Sequence, residues 1–89
     1  MPAEQLQVIV HNTVAVMTTM QERHAEWRKI ITGALQDVQE WGADWQIEVD
    51  FYTAVVALLD GQSPSLPGDH LYAAALAQIQ AGIAAGGVL

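Results

Sequence analysis

Histidine is the first place to look for chemistry, and the chain has three, His11, His24 and His70. None stands four residues from another, so no helix turn presents the i, i+4 pair of a zinc site, and no His-Glu-x-x-His occurs. His24 lies beside an apolar stripe, where partial burial with a local hydrogen bond suffices. His70 follows Asp69 and reads as an exposed first-turn residue. His11 falls on an outer helix face, where its ordinary pKa would suit a pH response. The carboxylates Glu22 and Glu26, and Glu40 and Asp44, sit four apart, but a hard-cation site needs more convergent oxygens than one such pair supplies. Ser63 and Ser65 lie in the proline loop rather than on a strand-turn-helix elbow. Gly61 and Gly68 bracket those prolines, and the single Lys29 is mid-helix, so no phosphate loop is present. These residues predict no catalytic centre, no metal and no cofactor.

Composition narrows the classes further. The chain has 89 residues, ten acidic side chains against three basic, a formal net charge of −7 and no cysteine. Phosphate recognition needs surface Lys and Arg, so nucleic acid is excluded as a partner, and an anionic membrane surface for the same reason. A domain of this size buries only about 60–65% of its unfolded surface. Without disulfides, its stability must come from helix packing or from a partner chain. The N-terminal apolar run lacks the basic flank of a signal peptide. It is interrupted by His11, Asn12 and threonines, too polar for a span of ~20 apolar residues. A soluble, cytoplasmic chain is expected.

Apolar residues recur with a period near 3.6 and no stretch alternates with period 2, which predicts an all-α fold. Helices are expected over residues 3–18, 20–41, 44–59 and 70–84, with a loop over 60–69 and a frayed tail over 85–89. In the first, Leu6, Ile9, Val10, Thr13, Val16, Met17 and Met20 share one broad face, with Val8 and Ala15 opposite. The second opens with Thr19-Met-Gln-Glu22, the spacing of a capping box. Its stripe is Trp27, Ile30, Ile31, Ala34, Leu35, Val38 and Trp41, and Gly42 ends it. The third, capped by Asp44, is apolar on two sides. One side holds Trp45, Val49, Tyr52, Val55, Val56 and Leu59; the other holds Ile47, Phe51, Ala54 and Leu58. That predicts a central position. The fourth follows Asp69 as cap and carries Tyr72, Leu76, Ile79 and Ile83 among alanines that permit close helix approach. Leu66 is expected to plug the bundle end. The result is a small four-helix, mostly antiparallel bundle.

Surface patterning points to where another chain would dock. Between Glu4 and Glu22 there is no charged side chain, while Arg23, Arg28 and Lys29, the whole basic complement, cluster at the start of the second helix. Such a charge-free helix is either covered within the fold or in contact with a partner. The basic cluster either pairs locally or receives an acidic surface. Trp27, Trp41 and Trp45 fall on apolar stripes and are expected to pack in the core, with one of the two at the 41–45 turn partly exposed. Candidate interface residues are Leu6, Val8, Val10, Val14, Met17, Arg23, Arg28 and Trp41.

The segment Ala34-Leu-Gln-Asp-Val-Gln-Glu-Trp-Gly42-Ala-Asp-Trp-Gln-Ile-Glu-Val-Asp-Phe-Tyr-Thr-Ala-Val-Val-Ala-Leu-Leu59 resembles the junction between two tetratricopeptide-type helices. The stretches from Asn12 to Trp27 and from Leu58 to Tyr72 resemble a module at the tail of some bacterial tetratricopeptide-repeat proteins. The chain holds one such unit and no second repeat. The resemblance implies tetratricopeptide-like helix pairing, a protein-interaction or capping role, and no catalytic residues. The expected function is therefore a non-catalytic interaction module that self-associates, as a homodimer, or binds a tetratricopeptide-type protein. Two alternatives stand beside it. One is a monomeric cap of a repeat assembly. The other is a small-ligand binder or enzyme with a pocket between the 41–45 turn and the 61–68 loop.

Overall fold

The computed structural model describes residues 1–86. Among them are four α-helices, α1 (Ala3–Met17), α2 (His24–Glu40), α3 (Gln46–Leu59) and α4 (Ala73–Ala84), and no strand. Single 3-10 turns, Gln21–Arg23 and Ala43–Trp45, lead into α2 and α3. The part of the expected tail beyond Gly86 lies outside the described residues.

The helices pack as two pairs, α2 on α3 and α1 on α4, joined through α1 and α3. Both α1 and α3 touch all three other helices, whereas α2 and α4 do not touch each other. The central position expected of α3 is thus shared with α1. Phe51, Val55, Ile79 and Ile31 are almost wholly buried at the junction. The Phe51 ring lies 5.0 Å from that of Tyr72 in a tilted arrangement. On α1, the inward residues are Ile9, Val10, Thr13 and Val16, spaced as one face of a helix should be. Gly82 of α4 sits where an added Cβ would come within 2.8 Å of Val14 Cγ2. Glycine is what lets these two helices approach so closely.

The helix starts differ from the expected caps. Thr19 caps nothing: α1 ends at Met17, and α2 begins after a 3-10 turn with no side-chain cap at Arg23. Instead the neighbouring Thr18 Oγ1 donates back to the Val14 carbonyl at 2.6 Å, closing α1. Asp44 lies within the second 3-10 turn, and α3 starts two residues later without a side-chain cap. Helix α4 starts at Ala73 rather than residue 70, and Asp69 does not cap it. In each case a tight turn precedes the helix and moves its first residue past the candidate cap. Gly42 does terminate α2, at φ +105°, a conformation few other residues adopt.

Residues 60–72 carry the chain from the end of α3 to α4. Gln80 Nε2 donates to the Pro64 carbonyl at 2.7 Å, and Leu66 packs against the core, tying the crossing down. His70 is not exposed. Its side chain is only 8% accessible, and its Nδ1 accepts the Tyr72 N–H at 3.1 Å. That bond leaves the hydrogen of the neutral ring on Nε2, which faces Asp50 Oδ2 at 3.4 Å.

Candidate functional site

The seam between α1 and α2 gathers uncovered apolar side chains, while two others, Ile47 on α3 and Leu71, at 69% the most exposed, stand apart from it. The two helices run antiparallel: Thr13 meets Trp27 near one end, while residues 1–5 lie beside residues 34–41 at the other. Trp27 Nε1 donates to Thr13 Oγ1 at 3.0 Å. Thr13 is the only buried polar residue among those described, at 0% exposure. The bond satisfies both groups away from water. It also pins the floor of the seam, because few other contacts join α1 to α2.

Above that floor lie two depressions. The first, about 210 Å³, is lined by Asn12, Ala15 and Met20 on one side and by Trp27 and Ile30 on the other, with the Arg23–Glu26 pair on its rim. The second, about 380 Å³, lies among Pro2, Gln5, Ala34, Asp37, Trp41 and Trp45. Residues 8, 12 and 15 of α1, and 30 and 37 of α2, each follow one helix face, with Arg23 in the 3-10 turn just before α2. The depressions are therefore successive parts of one groove. Val8 and Ile30 are each 52% exposed, Trp41 is 59%, and Met20 and Trp45 are also exposed. Trp41 and Trp45 meet edge to face with centroids 4.8 Å apart. Each ring thus covers part of the other while leaving a broad apolar surface outward.

The expected interface residues divide accordingly. Arg23 and Trp41 line the groove, and Val8, which lines neither depression, is exposed on α1. Val10 does not: it is 6% exposed and belongs to the core. Leu6, Val14 and Met17 pack partly buried against that core, with Val14 held over Gly82. Val14 faces α4 and Met17 borders the end of α3, sides that a helical projection cannot distinguish from a partner-facing one. Arg28 is committed to Asp60 by two bonds, at 2.7 and 3.0 Å. This pair lowers the Asp60 pKa, chiefly through the hydrogen bond, and raises that of Arg28. Ile30 and Met20 were not singled out as surface residues, yet both line the groove. The signal was the width of the α2 stripe: seven apolar positions, more than one neighbouring helix covers.

Charge is distributed unevenly along the groove. Arg23 stands at the α2 entry, 3.1 Å from Glu26 in an exposed pair, while Asp37 and Glu48 line the other end. His24 lies outside it and reaches across to the Leu59 carbonyl at 2.6 Å. Its partner is thus distant in sequence rather than local.

The Trp41–Trp45 turn does not share a pocket with the 61–68 loop. The turn borders the α1 N-terminus, whereas Pro64, Ser65, Leu66 and Pro67 line a separate shallow groove against α3. The difference arises because α3 runs between them. Among the described residues, no three His, Asp or Glu side chains gather as metal ligands, and no helix is long and apolar enough to cross a membrane. No family model, curated protein or solved structure matches the chain.

Proposed function

We propose that the chain is a non-catalytic helical interaction module that self-associates through the α1–α2 groove. The observation that carries this reading is the set of uncovered apolar side chains lining one seam, Met20, Ile30, Trp41 and Trp45, with Val8 also exposed on α1. Scattered exposed apolar residues are ordinary on a monomer, whereas a contiguous set marks a contact surface. Aromatic and apolar anchors of this kind dominate binding energy. The face also lies along α1, which has no charge between Glu4 and Glu22. Two copies with a net charge of −7 each repel least where their charge-free surfaces meet.

Size sets the strength expected. Helix α2 has 17 residues, giving a groove about 25 Å long, and two helices side by side are about 20 Å wide. A contact of that outline buries roughly 500 Å² per copy, or roughly 1,000 Å² in total, the lower end for a specific interface. A reversible, micromolar dimer is the outcome. Dilution monitored by NMR tests the assignment. Amide resonances of Val8, Ala15 and Ile30 and the Trp41 indole should shift with concentration, while those of Gln78 and Ala81 on α4 stay fixed. No concentration dependence, or shifts centred on α4, would refute it.

A further inference from the structure

We infer that the second copy lies antiparallel across the groove, with α2 crossing its twin at Ile30, and that reciprocal Arg23–Asp37 ion pairs set this register. The inference rests on the self-association reading above and adds the geometry that reading leaves open.

Homodimers overwhelmingly form about a twofold axis, so the same patch serves both copies. If two antiparallel helices cross at residue n, position n − k of one faces position n + k of the other. The apolar residue nearest the middle of the exposed α2 stripe is Ile30, half-way between Arg23 and Asp37. Seven residues separate it from each: Asp37 lies two helical turns on along the same stripe, and Arg23, the last residue of the 3-10 turn, stands at the α2 entry on the other side. An axis at Ile30 sets the two isoleucines together. It places Arg23 of each copy opposite Asp37 of its twin, twice in the dimer. Trp41 of each copy, just past the α2 C-terminus, then lies toward the α2 entry of the other.

The side chains required are available. Arg23 is held only by the solvent-exposed Glu26, and an exposed pair of this type contributes little, so a second carboxylate can share the guanidinium. Asp37 lines the groove and has no ion-pair partner among the described residues. Other registers lose these matches. An axis moved one turn toward the α2 C-terminus sets Arg23 against Asp44, beyond the helix end, and leaves Asp37 against the twin's Ile30. Parallel pairing sets Arg23 on Arg23 and Asp37 on Asp37.

Charge reversal tests the register by sedimentation equilibrium. Arg23→Glu moves the net charge from −7 to −9, and Asp37→Arg moves it from −7 to −5. If only overall repulsion mattered, Asp37→Arg would tighten the dimer. The register requires both single variants to weaken it, each by roughly tenfold or more, because each creates two like-charge contacts. The double variant Arg23→Glu/Asp37→Arg should recover most of the loss. Circular dichroism of each variant checks that the monomer remains folded. Tighter dimers from Asp37→Arg, unchanged dimers from either single variant, or no recovery in the double would overturn the register. If these outcomes occur while Ile30→Asp still dissociates the dimer, the groove stands and only the register falls. A wild-type chain that is monomeric throughout removes both.

Discussion

Two aspartate substitutions separate the core of α1 from the proposed contact surface. Val10 is 6% exposed and Ile30 is 52% exposed, so an introduced charge should have opposite consequences at the two sites. Val10→Asp removes about 1.5–2 kcal/mol of side-chain burial and leaves an unpaired carboxylate in the core at a further roughly 3–5 kcal/mol. An 89-residue chain has about 4–13 kcal/mol of total stability, so most of the fold should be lost. Ile30→Asp removes only half a side chain's burial in the monomer, about 1 kcal/mol, and the chain should remain folded. The exposed half of Ile30 is what the second copy would cover. Losing it on both sides costs the dimer about 2–3 kcal/mol before carboxylate repulsion is added, a roughly 30- to 150-fold weaker association. Urea unfolding followed by far-ultraviolet circular dichroism reads the first quantity, and sedimentation reads the second. A Val10→Asp chain with a near wild-type midpoint would show that α1 does not bury this face. An Ile30→Asp chain that unfolds in the same way would show that Ile30 is core and not contact surface.

Three further outcomes follow from the packing. Thr13→Val should destabilise the chain by about 1–3 kcal/mol in chemical denaturation, because the buried Trp27 N–H loses its acceptor. Trp27→Phe in the same background should add less than it does alone. Gly82→Ala, which on helix propensity would stabilise by about 1 kcal/mol, should instead lower the melting temperature, since its Cβ meets the stiff Val14 side chain. At high pH, burial raises the pKa values of Tyr52 and Tyr72, with Glu48 adding to both. Their contribution is fully present below the unfolded-state value near 10 and is lost as pH rises through the raised folded values. Alkaline titration should therefore show tyrosinate absorbance appearing together with loss of helix. Ordinary tyrosine titration in a fully folded chain would contradict that.

Much of the fold was legible in the sequence because period 3.6 is a strong local signal. The four helices lie where the apolar spacing put them, and Gly42 ends α2. The inward faces of α1 and α3 largely follow their stripes, with Met20, Trp45 and Ile47 the exposed exceptions. What was not legible depends on distant neighbours. A helical projection gives the angle of Val10 and Val8 but not which angle α4 occupies. The α2 stripe includes Ile30 and Trp41, yet α3 and α1 cover only its Ile31 and Val38 side. Arg28 finds Asp60, and Trp27 finds Thr13, through tertiary packing that no local spacing encodes. The candidate caps miss because 3-10 turns delay the starts of α2 and α3 and a tight turn delays that of α4. His70 is buried because the 60–72 crossing folds back on α3. Of the site itself, the charge-free helix, the basic cluster and Trp41 were visible. The groove that unites part of them was not, because it depends on how little of α1 and α2 touch.

Self-association through the α1–α2 groove is tested most directly by the molar mass of the wild-type chain measured by sedimentation equilibrium. The range should run from about 1 to 100 μM, bracketing the affinity expected of a contact near 1,000 Å². The mass should rise from 9.6 kDa toward twice that value, and the rise should disappear in Ile30→Asp. A constant 9.6 kDa across the whole range, or a dimer that Ile30→Asp leaves intact, would contradict the account.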